Sequence, residues 1–252
     1  MPTLNRDGVN IYYEVHGLGP AVLLTHGFSA TAEMWNANMS VLSACHKWIL
    51  WDMRGHGRSD YPTDQSHYSE ALVVGDMAAL LDTCGEKQAV IAGHSLGGYM
   101  SLAFHLAYPE RTKALVLLDT GPGYKKDEAR AGWNKRAEAM AKNFETKGLD
   151  ALGRSAEVMA CTHRSAQGLA LAARGMLAQY DARIINSLET IKVPTLIGVG
   201  AKDEMYFAGA DYMTSKIPGA TKVIIPDAGH APNIDNPEVF NKVVLEFLDK
   251  AK

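Results

Sequence analysis

The sequence is poor in cysteine and contains no long hydrophobic run. Its three cysteines, Cys45, Cys84 and Cys161, lie far apart and match no spacing typical of a metal site. We therefore expect free thiols in a reducing, cytoplasmic environment and no bound metal. No apolar stretch approaches the roughly 18 residues that a membrane span requires, so no membrane partner is expected.

An excess of positive charge, a targeting segment and internal repeats are also lacking. The formal net charge is -3 and the isoelectric point is about 6.3, which argues against a nucleic-acid partner because such proteins carry a basic surface. Residues 1–7 contain no apolar core of a secretory signal, so a cytoplasmic location is expected. The length of 252 residues suffices for a single α/β unit with a large core.

Strand-like apolar segments alternate with segments of helical periodicity along most of the chain. Residues 3–5 and 10–15 flank Asp7-Gly8, a dipeptide typical of hairpins, and are predicted to pair antiparallel at a sheet edge. Further strands are predicted at residues 21–25, 47–51, 88–92, 114–118, 194–199 and 222–225, with helices at 31–43, 68–82, 99–107 and 237–248. The alternation predicts an α/β fold with a mostly parallel central sheet flanked by helices.

Residues 121–190 interrupt this alternation. The segment is rich in alanine, arginine and methionine, has no strand pattern, and is broken by glycines. We interpret it as a helical cap inserted into a core domain formed by residues 1–120 and 191–252. Such an insertion is expected over the carboxyl edge of the sheet, where open α/β sheets bind ligands.

The nonapeptide Val90 to Gly98 carries the clearest chemical motif. Its apolar run ends at Gly93, a single serine follows as Ser95, and glycine returns at Gly97 before a helical segment. This G-x-S-x-G pattern in a strand–turn–helix context is typical of a nucleophile elbow, in which a serine stands on a sharp turn. The two glycines are expected where a Cβ would collide with a neighbouring strand or helix.

A serine hydroxyl needs a neighbouring base, which should be a histidine held by a carboxylate. His230 follows the predicted strand 222–225 and is the expected base, whereas His163 lies in the predicted cap. Two carboxylates can orient this histidine, because Asp203 follows strand 194–199 and Asp119 ends strand 114–118. We favour Asp203, which satisfies the chain order serine, acid, histidine.

Acyl transfer also requires donors for the developing oxyanion, and a pocket for the substrate. The backbone N–H groups of Phe28 and Leu96 are the expected donors, one from an early strand loop and one from the residue after the serine. Phe28, Trp133, Met140 and Met159 are candidate pocket residues. At helical spacing, the cap residues among them suit packing inside the protein equally well.

These motifs together resemble the α/β-hydrolase superfamily. The similarity rests on His26-Gly27-Phe28, on residues 52–59, on Gly93 to Gly98, on Gly200 to Asp203 and on Gly229-His230, which fall in the family's order across nearly the whole chain. Within the superfamily, the sequence resembles the small esterase and 3-oxoadipate enol-lactonase branch. No motif of the family covers the cap.

The resemblance implies an α/β-hydrolase fold and a serine esterase or lactonase that uses an acyl-enzyme and no cofactor. Its partner would be a small ester or lactone, and the protein would be a monomer or homodimer. Haloalkane dehalogenases and epoxide hydrolases have an aspartate at the elbow, where this chain has Ser95. A carbon–carbon bond hydrolase of ring-cleavage products, a perhydrolase and a small-ligand receptor that keeps the triad remain alternatives.

Overall fold

A sheet of eight strands runs through the centre of the molecule, of which a computed structural model describes residues 2–251. The strands are β1 Thr3–Arg6, β2 Val9–His16, β3 Ala21–Thr25, β4 Lys47–Trp51, β5 Ala89–His94, β6 Thr112–Leu118, β7 Thr195–Gly200 and β8 Thr221–Ile225. Their order is β1-β2-β4-β3-β5-β6-β7-β8, and β2 pairs antiparallel with both of its neighbours while the other pairs are parallel. The predicted fold class is confirmed.

Helices separate the parallel strands and cover the sheet. They are α1 Asn36–Leu42, α2 Glu70–Thr83, α3 Leu96–Ala107, α4 Asp127–Lys147, α5 Ala156–Met159, α6 Ala166–Ala172, α7 Arg183–Ser187, α8 Glu204–Lys216, α9 Pro232–Asp235 and α10 Pro237–Lys250. Short 3-10 turns lie at Ala32–Trp35, Gln65–His67, Pro109–Arg111, Gly148–Ala151 and Leu188–Thr190, and a π-helical turn at Ala173–Leu177. No helix among residues 2–251 has the length and apolar character needed to cross a membrane.

The strand side chains alternate between two hydrophobic cores, one on each face of the sheet. In β3, Leu23 packs in the core that contains residues of α2 and α3, whereas Val22 and Leu24 pack in the core that contains residues of α1 and α10. Every residue of β3 is buried. A strand buried on both faces is apolar throughout, which explains why this segment lacks the usual polar alternation.

Residues 121–190, all of which the structure describes, lie between β6 and β7 and contain helices and turns but no strand. A small core of their own is formed by Ala141, Phe144, Leu169, Ala170 and Ala173. Phe28, from the loop after β3, packs against this core. The division of the chain into a core domain and a cap domain at residues 121 and 190 stays a prediction.

A buried ion pair fixes the loop that follows β4. Arg54 donates from Nε to Asp76 Oδ2 and from Nη2 to Asp76 Oδ1, each at 2.8 Å, and its side chain is 2% exposed. The second arginine of the loop, Arg58, pairs with Asp52 at 3.1 Å. The loop is thereby attached to α2 on one side and closed on itself on the other.

Replacing Asp76 with alanine should lower the free energy of unfolding by about 3–5 kcal/mol, because the guanidinium of Arg54 would stay buried without its counter-charge. Urea unfolding of wild type and Asp76→Ala measures this difference. Glu145→Ala is the matched control, since Glu145 also pairs with an arginine, Arg174, but on the surface. Equal destabilisation by both substitutions would contradict the role assigned to burial.

Candidate active site

Ser95 occupies the sharp turn between β5 and α3. Its backbone has φ 52° and ψ -116°, a left-handed conformation that non-glycine residues rarely adopt. The Ser95 N–H donates to Leu118 O at 2.8 Å, and Thr120 Oγ1 donates to Ser95 O at 2.6 Å. Contacts from the end of β6 therefore hold this strained residue in place.

The glycines around Ser95 allow β5, α3 and β3 to approach each other closely. A Cβ on Gly93 would lie 2.1 Å from Gly97 O, and a Cβ on Gly97 would lie 2.3 Å from Thr25 O. Both distances are far below contact distance and both partners are backbone atoms, so a larger residue at either position requires the backbone to move.

The structure brings His230 and Asp203 into direct contact. Asp203 Oδ2 lies 2.6 Å from His230 Nδ1, and both residues follow neighbouring strands, β7 and β8. The imidazole Nδ1–H donates to the carboxylate in this arrangement, which leaves Nε2 as the free nitrogen of the ring. The two side chains are 11% and 27% exposed, so they lie at the rim between protein and solvent.

Two further rings fix the orientation of His230. The ring of Tyr206 stacks on His230 with centroids 4.9 Å apart, and the ring of His94 lies 4.6 Å away. His94 Nε2–H donates to the backbone oxygen of His230. The hydroxyl of Tyr206 is within hydrogen-bonding reach of the Ser95 side chain, and burial raises the pKa of this hydroxyl.

No direct hydrogen bond joins the Ser95 and His230 side chains in the described part of the chain; Tyr206 contacts both of them. Nucleophile–base hydrogen bonds are often loose in the absence of substrate. The sequence analysis missed Tyr206. Its one indication in the sequence is its position three residues after Asp203, about one helical turn into α8.

Asp119, the alternative acid, lies next to Asp203 and is the more buried of the two. It is 1% exposed, has φ 44°, and its Oδ1 accepts from Gly200 N at 2.8 Å. The second oxygen, Oδ2, is buried and has no hydrogen-bond donor among residues 2–251. Burial, together with the Asp203 carboxylate next to it, raises the pKa of Asp119 to about 9. The carboxyl group of Asp119 therefore resists ionisation next to the Asp203 carboxylate.

Asp119, Asp203 and His230 are the acidic and histidine groups whose geometry comes nearest to a metal site, with one ligand atom from each within 4.8 Å of the others. The proximity of Asp203 and His230 is accounted for by their hydrogen bond. A cation bound there would have to replace this hydrogen bond, so the observed pairing favours an acid–histidine pair over a metal site.

The loop after β3 brings Phe28 to the elbow. A Cβ on Gly27 would lie 3.2 Å from Ser95 Cβ, so the Gly27–Phe28 peptide lies against the serine. The Phe28 N–H donates to no acceptor among residues 2–251. Leu96 is the first residue of α3, and the first N–H groups of a helix have no intrahelical acceptor. The role of these two N–H groups as oxyanion donors stays a prediction.

Three neutral histidines support this loop from behind. His26 Nε2 accepts from Met53 N at 2.9 Å, His56 Nε2 accepts from Ser29 N at 3.4 Å, and His163 Nε2 donates to Ser29 O at 3.0 Å. Burial lowers the pKa of all three, that of His26 to about 4. His163 belongs to the cap segment, whereas Met53 and His56 belong to the loop after β4. The loop that carries Phe28 is therefore held by both of these segments.

A pocket of about 190 Å³ opens beside Ser95, and Leu96, Trp133 and Tyr206 are among its walls. Of the predicted pocket residues, only Trp133 lines it. Phe28 and Met140 line a second, wider groove, and seven residues of helix place Met140 about 10 Å from Trp133. Met159 is 70% exposed and lines neither space. The assignment of Phe28, Met140 and Met159 to the substrate pocket stays a prediction.

Comparison with known proteins agrees with this geometry. The model of a family described as "Alpha/beta hydrolase family" matches residues 22–243, which is most of the chain. The chain belongs to the alpha/beta hydrolase family. The resemblance predicted from the sequence motifs is thereby confirmed at the level of the family.

Several relatives of this α/β hydrolase share its full length. A putative 2-succinyl-6-hydroxy-2,4-cyclohexadiene-1-carboxylate synthase from Bacillus subtilis is 31% identical, over 98% of this chain and 99% of its own. A putative carbamate hydrolase RutD from Azorhizobium caulinodans is 28% identical, over 98% of both chains. The structure of a thermophilic esterase from Thermogutta terrifontis, also 28% identical, superposes with a TM-score of 0.82 and covers 99% of this chain and 97% of its own.

Replacing Asp119 with asparagine should stabilise the protein increasingly as the pH rises. The folded-state pKa of Asp119 is about 9, against an ordinary value of 3.8, so the folded protein binds an extra proton between these two pH values. Its stability must therefore fall with rising pH at this site, whereas asparagine does not titrate. Urea unfolding of wild type and Asp119→Asn at pH 5, 7 and 9 measures the effect.

The exposed Asp150 provides a matched control, and the stability difference between wild type and Asp150→Asn should not grow in the same way. A difference between wild type and Asp119→Asn that stays constant from pH 5 to 9 would show that Asp119 is not protonated in the folded protein.

Proposed function

We propose that this α/β hydrolase is a serine hydrolase that cleaves a carboxylic ester or lactone of a small substrate through an acyl-enzyme. The observation that carries the proposal is the strained turn of Ser95, at φ 52°, beside the Asp203–His230 pair joined at 2.6 Å. Strain of this kind persists only where the surrounding structure enforces it, and it clusters at functional sites.

In the proposed acylation, Ser95 Oγ attacks the carbonyl carbon while His230 Nε2 takes the hydroxyl proton. Asp203 holds the Nδ1–H of His230 and stabilises the imidazolium that forms. The proton then passes from Nε2 to the leaving alkoxide, and the carbon–oxygen bond of the ester breaks. In a lactone the alcohol stays attached to the acyl group, so no fragment leaves at this stage.

The backbone N–H groups of Phe28 and Leu96 are the proposed donors to the oxyanion. Donors that are fixed before reaction stabilise the charge that develops on the carbonyl oxygen, because they need not reorganise during it. A water molecule, deprotonated by His230, then attacks the acyl carbon, the bond from this carbon to Ser95 Oγ breaks, and His230 returns the proton to Oγ as the acid is released. The proposed cycle uses only groups of this chain and requires no cofactor.

Two considerations support a small ester as the substrate, one from the size of the pocket and one from a relative. The pocket of about 190 Å³ is below the range of roughly 300–1,000 Å³ usual for sites of drug-sized ligands. The Thermogutta terrifontis protein, whose structure spans this whole chain, is an esterase. A short acyl chain is therefore the substrate that we infer.

Replacing Ser95 with alanine should lower ester turnover at least ~10⁴-fold without unfolding the protein, because the nucleophile is lost and the fold is not. Hydrolysis of p-nitrophenyl esters from acetate to octanoate measures this, and turnover of the wild type should fall with acyl length. Ser43→Ala, remote from the elbow, is the control and should keep wild-type rates. Substantial residual activity in Ser95→Ala would contradict the proposed nucleophile.

The same assay compares the two carboxylates. Asp203→Asn should lower kcat about 10⁴-fold, because the amide would stabilise the wrong tautomer of His230. Asp119→Asn should keep most of the activity, since the amide oxygen can still accept from Gly200 N and the contact between Asp203 and His230 is unchanged. The reverse result, with Asp119→Asn inactive and Asp203→Asn active, would assign the acid to Asp119.

A further inference from the structure

One polar side chain in the pocket beside Ser95 has no partner in the protein. Gln179 lines this pocket and is 8% exposed. Its Oε1 atom is buried and has no hydrogen-bond partner within residues 2–251. Buried side-chain amides are normally hydrogen-bonded, so an unpartnered one at a ligand pocket indicates a partner that enters with the ligand.

Other polar groups of the pocket are already occupied. Thr120 Oγ1 donates to Ser95 O at 2.6 Å, and Trp133 Nε1 donates to Leu177 O at 2.7 Å. The hydroxyl of Tyr99 is within hydrogen-bonding reach of Glu70, outside the pocket lining. The carboxamide of Gln179 differs from these neighbours because its Oε1 atom has no hydrogen-bond partner.

The position of Gln179 is fixed from two sides. Its backbone N–H donates to Asn134 Oδ1 at 2.8 Å, and its backbone oxygen accepts from Asn134 Nδ2 at 2.7 Å. Gly123, at φ 86°, makes room for the side chain, because a Cβ there would lie 2.8 Å from Gln179 Oε1. With its backbone held in this way, Gln179 needs little reorganisation to present its carboxamide to a ligand.

The walls of the same pocket carry no charged side chain in the described part of the chain. Basic residues of the cap, Arg136 and Lys142, line the wider groove instead. A substrate carboxylate in the pocket would lose its hydration without gaining a cation, which is unfavourable. The pocket therefore suits an uncharged substrate.

We propose that Gln179 determines specificity by binding an uncharged hydrogen-bonding group of the substrate, a hydroxyl or carboxamide carried by a small ester. This inference rests on the proposed ester hydrolysis for its reaction and on the pocket itself for its ligand. It also predicts that esters carrying a carboxylate are poor substrates of this enzyme.

The test compares esters that differ by one hydroxyl group. Release of acid from ethyl butyrate, ethyl 3-hydroxybutyrate, 2-hydroxyethyl butyrate and monoethyl succinate is followed by titration. The wild type should prefer at least one hydroxylated ester over ethyl butyrate by about ten-fold in kcat/KM, and monoethyl succinate should be the slowest substrate. No preference for either hydroxylated ester would overturn the proposal.

Gln179→Leu should remove this preference, so that the ratio of kcat/KM between the preferred hydroxylated ester and ethyl butyrate falls to about one. Since the carboxamide has no partner in the protein, the substitution should not lower the melting temperature; a marked decrease would show that Gln179 is structural. Gln179→Met provides a second variant of similar length. Gln65→Leu is the matched control, because Gln65 donates to Leu171 O at 3.1 Å away from the pocket and should not affect the preference.

Binding to the inactive Ser95→Ala variant separates the two proposals. Calorimetry with 3-hydroxybutyramide and butyramide reports recognition without turnover. If the wild type hydrolyses no ester but Ser95→Ala binds the hydroxylated amide more tightly, and Gln179→Leu in that background abolishes the difference, then ester hydrolysis fails and the Gln179 site stands. If ethyl butyrate and the two hydroxylated esters are hydrolysed at equal rates and both amides bind equally, the result contradicts the role of Gln179 but not ester hydrolysis.

Discussion

The arrangement of the site depends on the close approach of β3, β5 and α3 around Ser95. Glycines at positions 93 and 97 permit contacts that any side chain would prevent, and the serine between them is held at φ 52°. Hydrogen bonds from the end of β6 oppose relaxation of this turn. The same approach brings the peptide of Gly27 and Phe28 against the serine, so one packing constraint positions both the nucleophile and the loop of the proposed oxyanion donors.

A second constraint is electrostatic and follows from the strand order. Asp119, Asp203 and His230 follow β6, β7 and β8, which are neighbours in the sheet, so their side chains converge at its carboxyl edge. Two carboxyl groups this close and this buried do not both ionise. Burial and the neighbouring carboxylate raise the pKa of Asp119, whereas Asp203 is the aspartate that contacts His230. Burial, rather than residue type, thereby distinguishes the two aspartates.

The segment between β6 and β7 contributes to the site in two ways. His163 and Arg164 bond to the backbone of Ser29 and Gly57, which lie in loops at the carboxyl ends of β3 and β4. Trp133 and Gln179 form walls of the pocket beside Ser95. The inserted helices therefore support the loop next to the nucleophile and also shape the uncharged space in which a substrate would lie.

The sequence by itself determined the alternation of strands and helices, the elbow at Ser95 and the residues at the strand ends, because these depend on local patterns and on the convergence of parallel strands at one edge. It favoured Asp203 over Asp119 by chain order alone, because both aspartates follow strands and the contact of Asp203 with His230 exists only in the folded protein. It also missed Tyr206. Helical periodicity predicts which face of a helix is apolar, but not which turn faces the serine. That is decided by contacts between residues far apart in the chain, and only the tertiary structure contains them.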